Sequence, residues 1–373
     1  MEPWYYPKPA LKPVKPGETM TVRAFFRNTA VLFLLLINTF YCSTLFAQNL
    51  GQLDQITVYG PSLEGNLSKD NPERNVLVYL PPGYNTDSEK QFPVVYLLHG
   101  YTDTERNWFG LDRQHFVNVP DAVDAAWRTG AGEMIIVMPN AYTRFKGSMY
   151  SNSVTTGDWE SYIAKDLVAY IDANYRTIPE RASRGLAGHS MGGYGTMRIG
   201  MKYPDVFAAL YAMSPCCMGA NITPSQEQFA KALATQNDEQ LSLADFGTSA
   251  MMASAAVWSP NPDNPPFYID LPYKEGELQT EVVARWVANA PLVMLHQYIP
   301  QLKSFEDVLI DAGDSDVGIA ATVVEMSSML NAYGVVHRSE IYEGNHVSGI
   351  HERITSHLMR MFTEVLVSEY AGL

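Results

Sequence analysis

The chain has 373 residues, 46% hydrophobic and 18% charged, with a formal net charge of −14 at pH 7. Such a composition belongs to a globular protein, long enough for one large domain or two small ones. The acidic balance argues against nucleic-acid binding, because no basic stripe is available to neutralise phosphates.

Residues 1–22 carry Pro3, Pro7, Pro9, Pro13 and Pro16 with no apolar period, which predicts a disordered N-terminal extension. Arg23 and Arg27 then precede an apolar run over 29–47 that ends Leu45-Phe46-Ala47-Gln48. Basic flank, apolar centre and a small residue before a polar one predict a signal peptide over 23–47. Leu45 is a poor fit three residues before the cleavage point. The competing reading is an uncleaved anchor, since nineteen residues just span a bilayer. Asn38, Thr39 and Ser43 weaken an anchor, so membrane contact is expected only through an uncleaved signal.

From residue 48 onward strand-like and helix-like segments alternate, predicting one domain, 48–373, with a mostly parallel sheet covered on both faces. Runs at 75–80, 93–98 and 134–138 are apolar and end at Pro, Gly or His-Gly. Ile163, Leu167, Tyr170 and Ile171 recur at helical spacing. A strand at 184–187 leads into Gly188-His189-Ser190-Met191-Gly192, and a helix follows to Lys202. A strand at 208–213 comes next. The alternation then lapses over about 216–304, which predicts a helical cap inserted before the penultimate strand. It resumes with strands at 307–311 and 337–342 around a helix at 317–330. A final helix carries Ile350, Ile354, Leu358, Met361, Phe362 and Val365 on one face.

Gly-x-Ser-x-Gly between a strand and a helix is the pattern of a nucleophile elbow, with the serine hydroxyl exposed on a tight turn. A serine hydroxyl needs a base within hydrogen-bond reach to act as a nucleophile. His346, in Glu343-Gly-Asn-His346, follows the last strand and occupies the place of that base. His189, His337, His351, His357, His115 and His296 fit less well, and His189 is read as packing or bonding locally. A carboxylate should orient the base. Asp311, Asp314 and Asp316 all follow or end the penultimate strand; Asp316, closing Gly313-x-x-Asp316, is preferred because it can leave the turn and point back. The oxyanion donors are expected from the backbone of Met191, after the nucleophile, and of Tyr101, after the His99-Gly100 strand end. Trp108 and Tyr194 are the expected substrate contacts. In the cap, Met251, Met252, Trp258, Phe267, Tyr268, Tyr273, Trp286 and Tyr298 suit equally an acyl pocket or the cap's own core.

Cys216 and Cys217 are adjacent. Their Cα atoms lie about 3.8 Å apart, below the usual ~4.4–6.8 Å of a disulfide, so buried free thiols are expected. No metal site and no cofactor is expected.

The stretches 94–108, 159–215, 313–316 and 344–346 together resemble the esterase D-type branch of the α/β-hydrolases. That branch includes feruloyl and acetyl esterases, S-formylglutathione hydrolase and mycolyltransferases. The resemblance implies the α/β-hydrolase fold, a triad of Ser190, His346 and Asp316, and oxyanion donors at Tyr101 and Met191. It covers most of 74–215 and the last seventy residues, while 216–304 departs from the family's shorter connection. The function so implied is a secreted or periplasmic serine carboxylesterase acting on a small or polymer-linked ester. Acyl transfer or thioester hydrolysis by the same triad is the alternative, and a non-catalytic binding module is less favoured. S-formylglutathione hydrolysis itself is disfavoured because that substrate is cytosolic. The residues are silent on oligomeric state.

Overall fold

The computed structural model describes residues 50–219 and 226–369. The extension 1–22 and the signal segment 23–47 lie outside them. Among the described residues no helix is long and apolar enough to cross a membrane.

An eight-stranded sheet runs through the centre. Its strands are β1 (Gln52–Tyr59), β2 (Glu73–Leu80), β3 (Val94–Leu98), β4 (Ile135–Pro139), β5 (Arg184–His189), β6 (Ala209–Met213), β7 (Asp307–Gly313) and β8 (Arg338–Tyr342). They lie in the order β1-β2-β4-β3-β5-β6-β7-β8. The pairs β1–β2 and β2–β4 are antiparallel, and every pair from β4 to β8 is parallel. The expected mostly parallel sheet is therefore present. The sequence pattern missed β1, whose side chains are mainly exposed or half-buried and so lack an apolar run.

The strands β3 and β4 are buried on both faces, so their side chains alternate between two cores. Val94, Tyr96 and Leu98 pack with the face covered by helices α2 (159–174), α3 (Met191–Lys202) and α6 (Val317–Ala332). Val95 and Leu97 pack with the face covered by α1 (Val119–Arg128) and α7 (350–365). The predicted stripe of α7 is buried at Ile350, Ile354, Leu358, Met361 and Phe362. Both α2 and α7 contain one π-helical turn, at 162–167 and 353–358.

Between β6 and β7 the chain inserts helices, among them α4 (Phe246–Trp258) and α5 (Thr280–Ala288), with a two-stranded ribbon. Thus a helical insertion precedes the penultimate strand. It is bonded to the body at several points: Lys146 donates to Ser249 Oγ at 3.0 Å, and Ser153 donates to the Ala256 carbonyl at 2.6 Å. Helix α3 is tied to α2 by Glu160, which receives Arg198 Nε at 2.6 Å and Lys202 Nζ at 2.8 Å. Glu160 and Arg198 are both buried, so removing Glu160 would leave the Arg198 charge buried without its carboxylate.

Gly192 shows how tightly the centre is built. A Cβ there would lie 2.1 Å from the Leu98 carbonyl oxygen, which is strand backbone and cannot yield. At Gly318, near the start of α6, an added Cβ meets nothing within 4 Å. Gly192→Ala is therefore expected to lower unfolding free energy by about 3 kcal/mol or more. Gly318→Ala should raise it by about 0.5 kcal/mol. Urea unfolding of both variants measures the contrast, and equal midpoints would contradict it.

Candidate active site

Ser190 stands between β5 and α3 with φ 56° and ψ −114°, the left-handed strain expected of an elbow. Several backbone bonds hold it there. Its N–H donates to the Met213 carbonyl at 3.0 Å, and its carbonyl accepts from Tyr194 at 2.9 Å and Cys216 at 3.1 Å. Glycine at 188 is required because a Cβ would come within 2.4 Å of the Gly192 carbonyl group.

The structure brings the three expected side chains together. Ser190 Oγ lies 2.9 Å from His346 Nε2, and His346 Nδ1 lies 2.6 Å from Asp316 Oδ2. Since a carboxylate only accepts, Nδ1 carries the proton and Nε2 is free to accept from the serine hydroxyl. Ser190 is 8% exposed, while the side chains of Asp316 and His346 are 18% and 37% exposed. Such a relay can remove the hydroxyl proton as the oxygen attacks an electrophilic carbonyl.

The other two carboxylates have different work. Asp314 accepts from the Gly344 N–H at 3.1 Å and so joins the turn carrying Asp316 to the loop carrying His346. Asp311 is buried inside β7, where it bonds Tyr211 and receives Arg353 Nε at 2.7 Å. The histidine loop is closed by Asn345, whose side-chain oxygen accepts from the N–H groups of Val347 and Ser348.

His189 is not a merely local group. Its Nε2–H donates to the His346 carbonyl at 2.7 Å, and the two rings lie 4.8 Å apart. The link spans 157 residues of sequence, which is why spacing could not reveal it. His99 plays a similar part on the other side. It donates from Nδ1 to the Gly100 carbonyl and accepts at Nε2 from the Ala141 N–H, each at 2.9 Å. Those bonds set the turn that carries Tyr101. A Cβ on Gly100 would lie 3.6 Å from Ser190 Cβ, so this turn abuts Ser190. The Tyr101 ring and the Met191 sulfur pack side by side over Gly147. The N–H of Met191, first in α3, has no acceptor one turn back in the helix.

Two expected substrate contacts are corrected. Trp108 is fully buried against His189, 5.8 Å ring to ring, and its N–H donates to Asp103 at 3.1 Å. Tyr194 is also fully buried: its hydroxyl accepts from Trp258 Nε1 and donates to the Asn289 carbonyl, each at 3.0 Å. It anchors the insertion to α3. Nearness in sequence to the elbow did not reveal which way these rings turn. Met251, Met252, Trp258, Phe267 and Trp286 are buried within the insertion, which makes them its core. A cavity of about 660 Å³ lies in the insertion, lined in part by Met252, Phe267, Tyr273 and Arg285, and no relay residue lines it. The surface missed by the sequence pattern is Phe246, 68% exposed, whose ring meets the Tyr101 ring edge-on at 5.6 Å. Val317 and Val347, each next to a relay residue, are exposed as well.

Burial pushes His99 down to about 4 and His189 down to about 3, so both are neutral in the native protein. In the unfolded chain they titrate near 6.5. Below that pH the unfolded state binds protons the native state refuses, so stability is full above 6.5 and falls as acid is added. Each histidine contributes a slope of up to about 1.4 kcal/mol per pH unit. Replacing His189 by Gln should reduce the slope between pH 6 and 4.5 by close to one proton. Urea unfolding across that range measures it, and an unchanged slope would show that His189 titrates normally in the folded state.

Residues 69–355 match the sequence profile of the family described as putative esterase. An esterase of Mycobacterium tuberculosis is 35% identical over 140 residues, covering 37% of this chain and 28% of that protein. An endo-1,4-β-xylanase/feruloyl esterase of Xylanibacter ruminicola is 29% identical over 164 residues, covering 43% of this chain and 21% of that protein. The match thus spans between a fifth and a third of these relatives' own length. Among solved structures, a ferulic acid esterase superposes with TM-score 0.58 at 23% identity, covering 85% of this chain and 99% of that one. An S-formylglutathione hydrolase of Staphylococcus aureus does so with TM-score 0.54 at 17% identity, covering 84% and 98%. Their common architecture is the α/β-hydrolase fold, and the chain belongs to the putative esterase family.

Proposed function

We propose that this chain is an exported serine carboxylesterase. The observation that carries the reading is the continuous relay from Ser190 Oγ through His346 to Asp316, with the serine on a strained turn at the tips of parallel strands. In this reading Ser190 attacks the ester carbonyl while His346 takes its proton, and Asp316 stabilises the imidazolium. The tetrahedral oxyanion is held by the N–H groups of Met191 and Tyr101. Collapse expels the alcohol, which receives the proton from His346. Water then attacks the acyl-enzyme by the same route and releases the acid. Export rests on Arg23, Arg27 and the apolar run that follows them.

The exposed Phe246, Val317 and Val347 support an ester with an apolar or aromatic portion. The feruloyl activity named for one relative supports including such an ester in the assay.

The purified protein is expected to hydrolyse p-nitrophenyl acetate, p-nitrophenyl butyrate and methyl ferulate, and to be labelled by a fluorophosphonate at Ser190. Ser190→Ala should lose labelling and at least about 10⁴-fold in kcat. Asp316→Asn should cost about 10³- to 10⁴-fold, while Asp314→Asn stays near the parent. The reverse order for the two aspartates would assign the acid to Asp314. An unlabelled Ser190 without turnover of any ester would reject the enzyme. Phe246→Ala should raise KM for methyl ferulate about tenfold, the cost of losing part of a phenyl contact, and leave acetate unaffected.

A further inference from the structure

Beyond β6 the chain continues as Ser214-Pro215-Cys216-Cys217, bonded to the Ser190 backbone on either side of Ser214 and Pro215. Both thiols are free; Cys217 is exposed and Cys216 is partly so. The relay of Ser190, His346 and Asp316 uses neither sulfur. Yet Cys216 is bound closely to the site, since its N–H donates to the Ser190 carbonyl at 3.1 Å. The sequence pattern called for two buried thiols. The exposure of Cys217 is a correction to that, and it opens the pair to reagents from solution.

A metal is a poor fit for the pair, because no cluster of three or more His, Cys, Asp or Glu able to hold an ion exists among the described residues. What two contiguous thiols can do without a third partner is exchange with a disulfide. We propose that Cys216 and Cys217 form a reversible oxidation site for low-molecular-weight disulfides, closing to a vicinal disulfide that disables Ser190. The thiolate of exposed Cys217 attacks one sulfur of R–S–S–R and expels one RS⁻. The Cys216 thiolate then attacks the Cys217 sulfur of the mixed disulfide and expels the second. The protein loses two protons and two electrons, and the reagent becomes two RSH.

Two physical reasons couple this chemistry to the serine. Adjacent Cα atoms about 3.8 Å apart lie below the usual disulfide span, so closing the ring must twist the 216–217 peptide. That same backbone holds the Ser190 carbonyl. A strained, exposed disulfide also has a comparatively oxidising potential, so thiols reopen it readily. The neighbouring thiol and burial push the Cys216 thiol well up, which leaves Cys217 as the first sulfur to react. The effect on turnover rests on Ser190 being the nucleophile; the modification itself does not.

The chain's third cysteine, Cys42, lies in the expected signal segment, so the test uses the full chain carrying Cys42→Ser, treated with oxidised glutathione. Intact mass and peptide mapping should show the loss of two hydrogens within the peptide containing Cys216 and Cys217. Hydrolysis of p-nitrophenyl acetate should fall by about 100-fold, the scale of a displacement near 1 Å at a reacting group, and return with dithiothreitol. Cys217→Ser should keep the basal rate and be insensitive to the oxidant. Phenylarsine oxide, which bridges paired thiols, should block the mass change in the parent. A stable glutathione adduct, or no mass change, would overturn the proposal. An internal disulfide with full activity would overturn its coupling to Ser190. Mass readout survives even if no ester is turned over, so failure of the esterase reading is seen separately.

Discussion

The approach of Gly188 and Gly192 to each other and to the end of β3 is the constraint on which the rest of the site depends. Helix α3 can start immediately after Ser190 only because two missing side chains let its first turn sit against strand backbone. Once it does, Ser190 is held at a positive φ by bonds from three directions, including the end of β6. The strain is local, and the buried parallel sheet around it supplies the stability that sustains it. Nothing in the turn can relax without pulling on β3, β5 and β6 together.

From that fixed point the other groups are placed mainly by backbone bonds. His189 reaches from the elbow to the carbonyl of His346, and Asn345 closes the loop on the other side. Asp314 then ties the same loop to the turn that presents Asp316. The His346 loop is therefore held from the Ser190 side and from the Asp316 side at once. His99 gives the opposite wall a similar bracing through Gly100 and Ala141. Both bracing histidines are buried and neutral, which suits donors and acceptors that must keep one tautomer. The helical insertion is joined to this frame by Tyr194, whose hydroxyl is shared between α3 and two parts of the insertion.

Much of this was legible in the residues because it is local. The elbow is read from five adjacent positions, and the central strands from apolar runs that only a two-sided sheet can bury. Asp316 and His346 followed from chain order, since each comes just after a strand that must end near the serine. The edge strand β1 was not legible: half exposed, it needs no apolar pattern. Trp108 and Tyr194 lie near the site in sequence but turn into the two cores on opposite faces. Large rings are buried wherever the fold offers space, and adjacency says nothing about which side that is. The exposed Phe246 was hidden for the opposite reason, because its place beside Tyr101 depends on how the insertion folds back.

The amino-acid sequence by itself determined the tight turn at Ser190, the placing of Asp316 and His346 just after the last two strands, and the parallel sheet, for these follow from short-range sterics and hydrophobic periodicity. Only the tertiary structure decided that His189 holds the His346 backbone, that Tyr194 anchors the insertion, and that Cys217 is exposed. These depend on contacts between segments many residues apart, whose partners are selected by packing and cannot be read from spacing. The distances within the relay belong to the same class, being set by three loops that meet only when the sheet has formed.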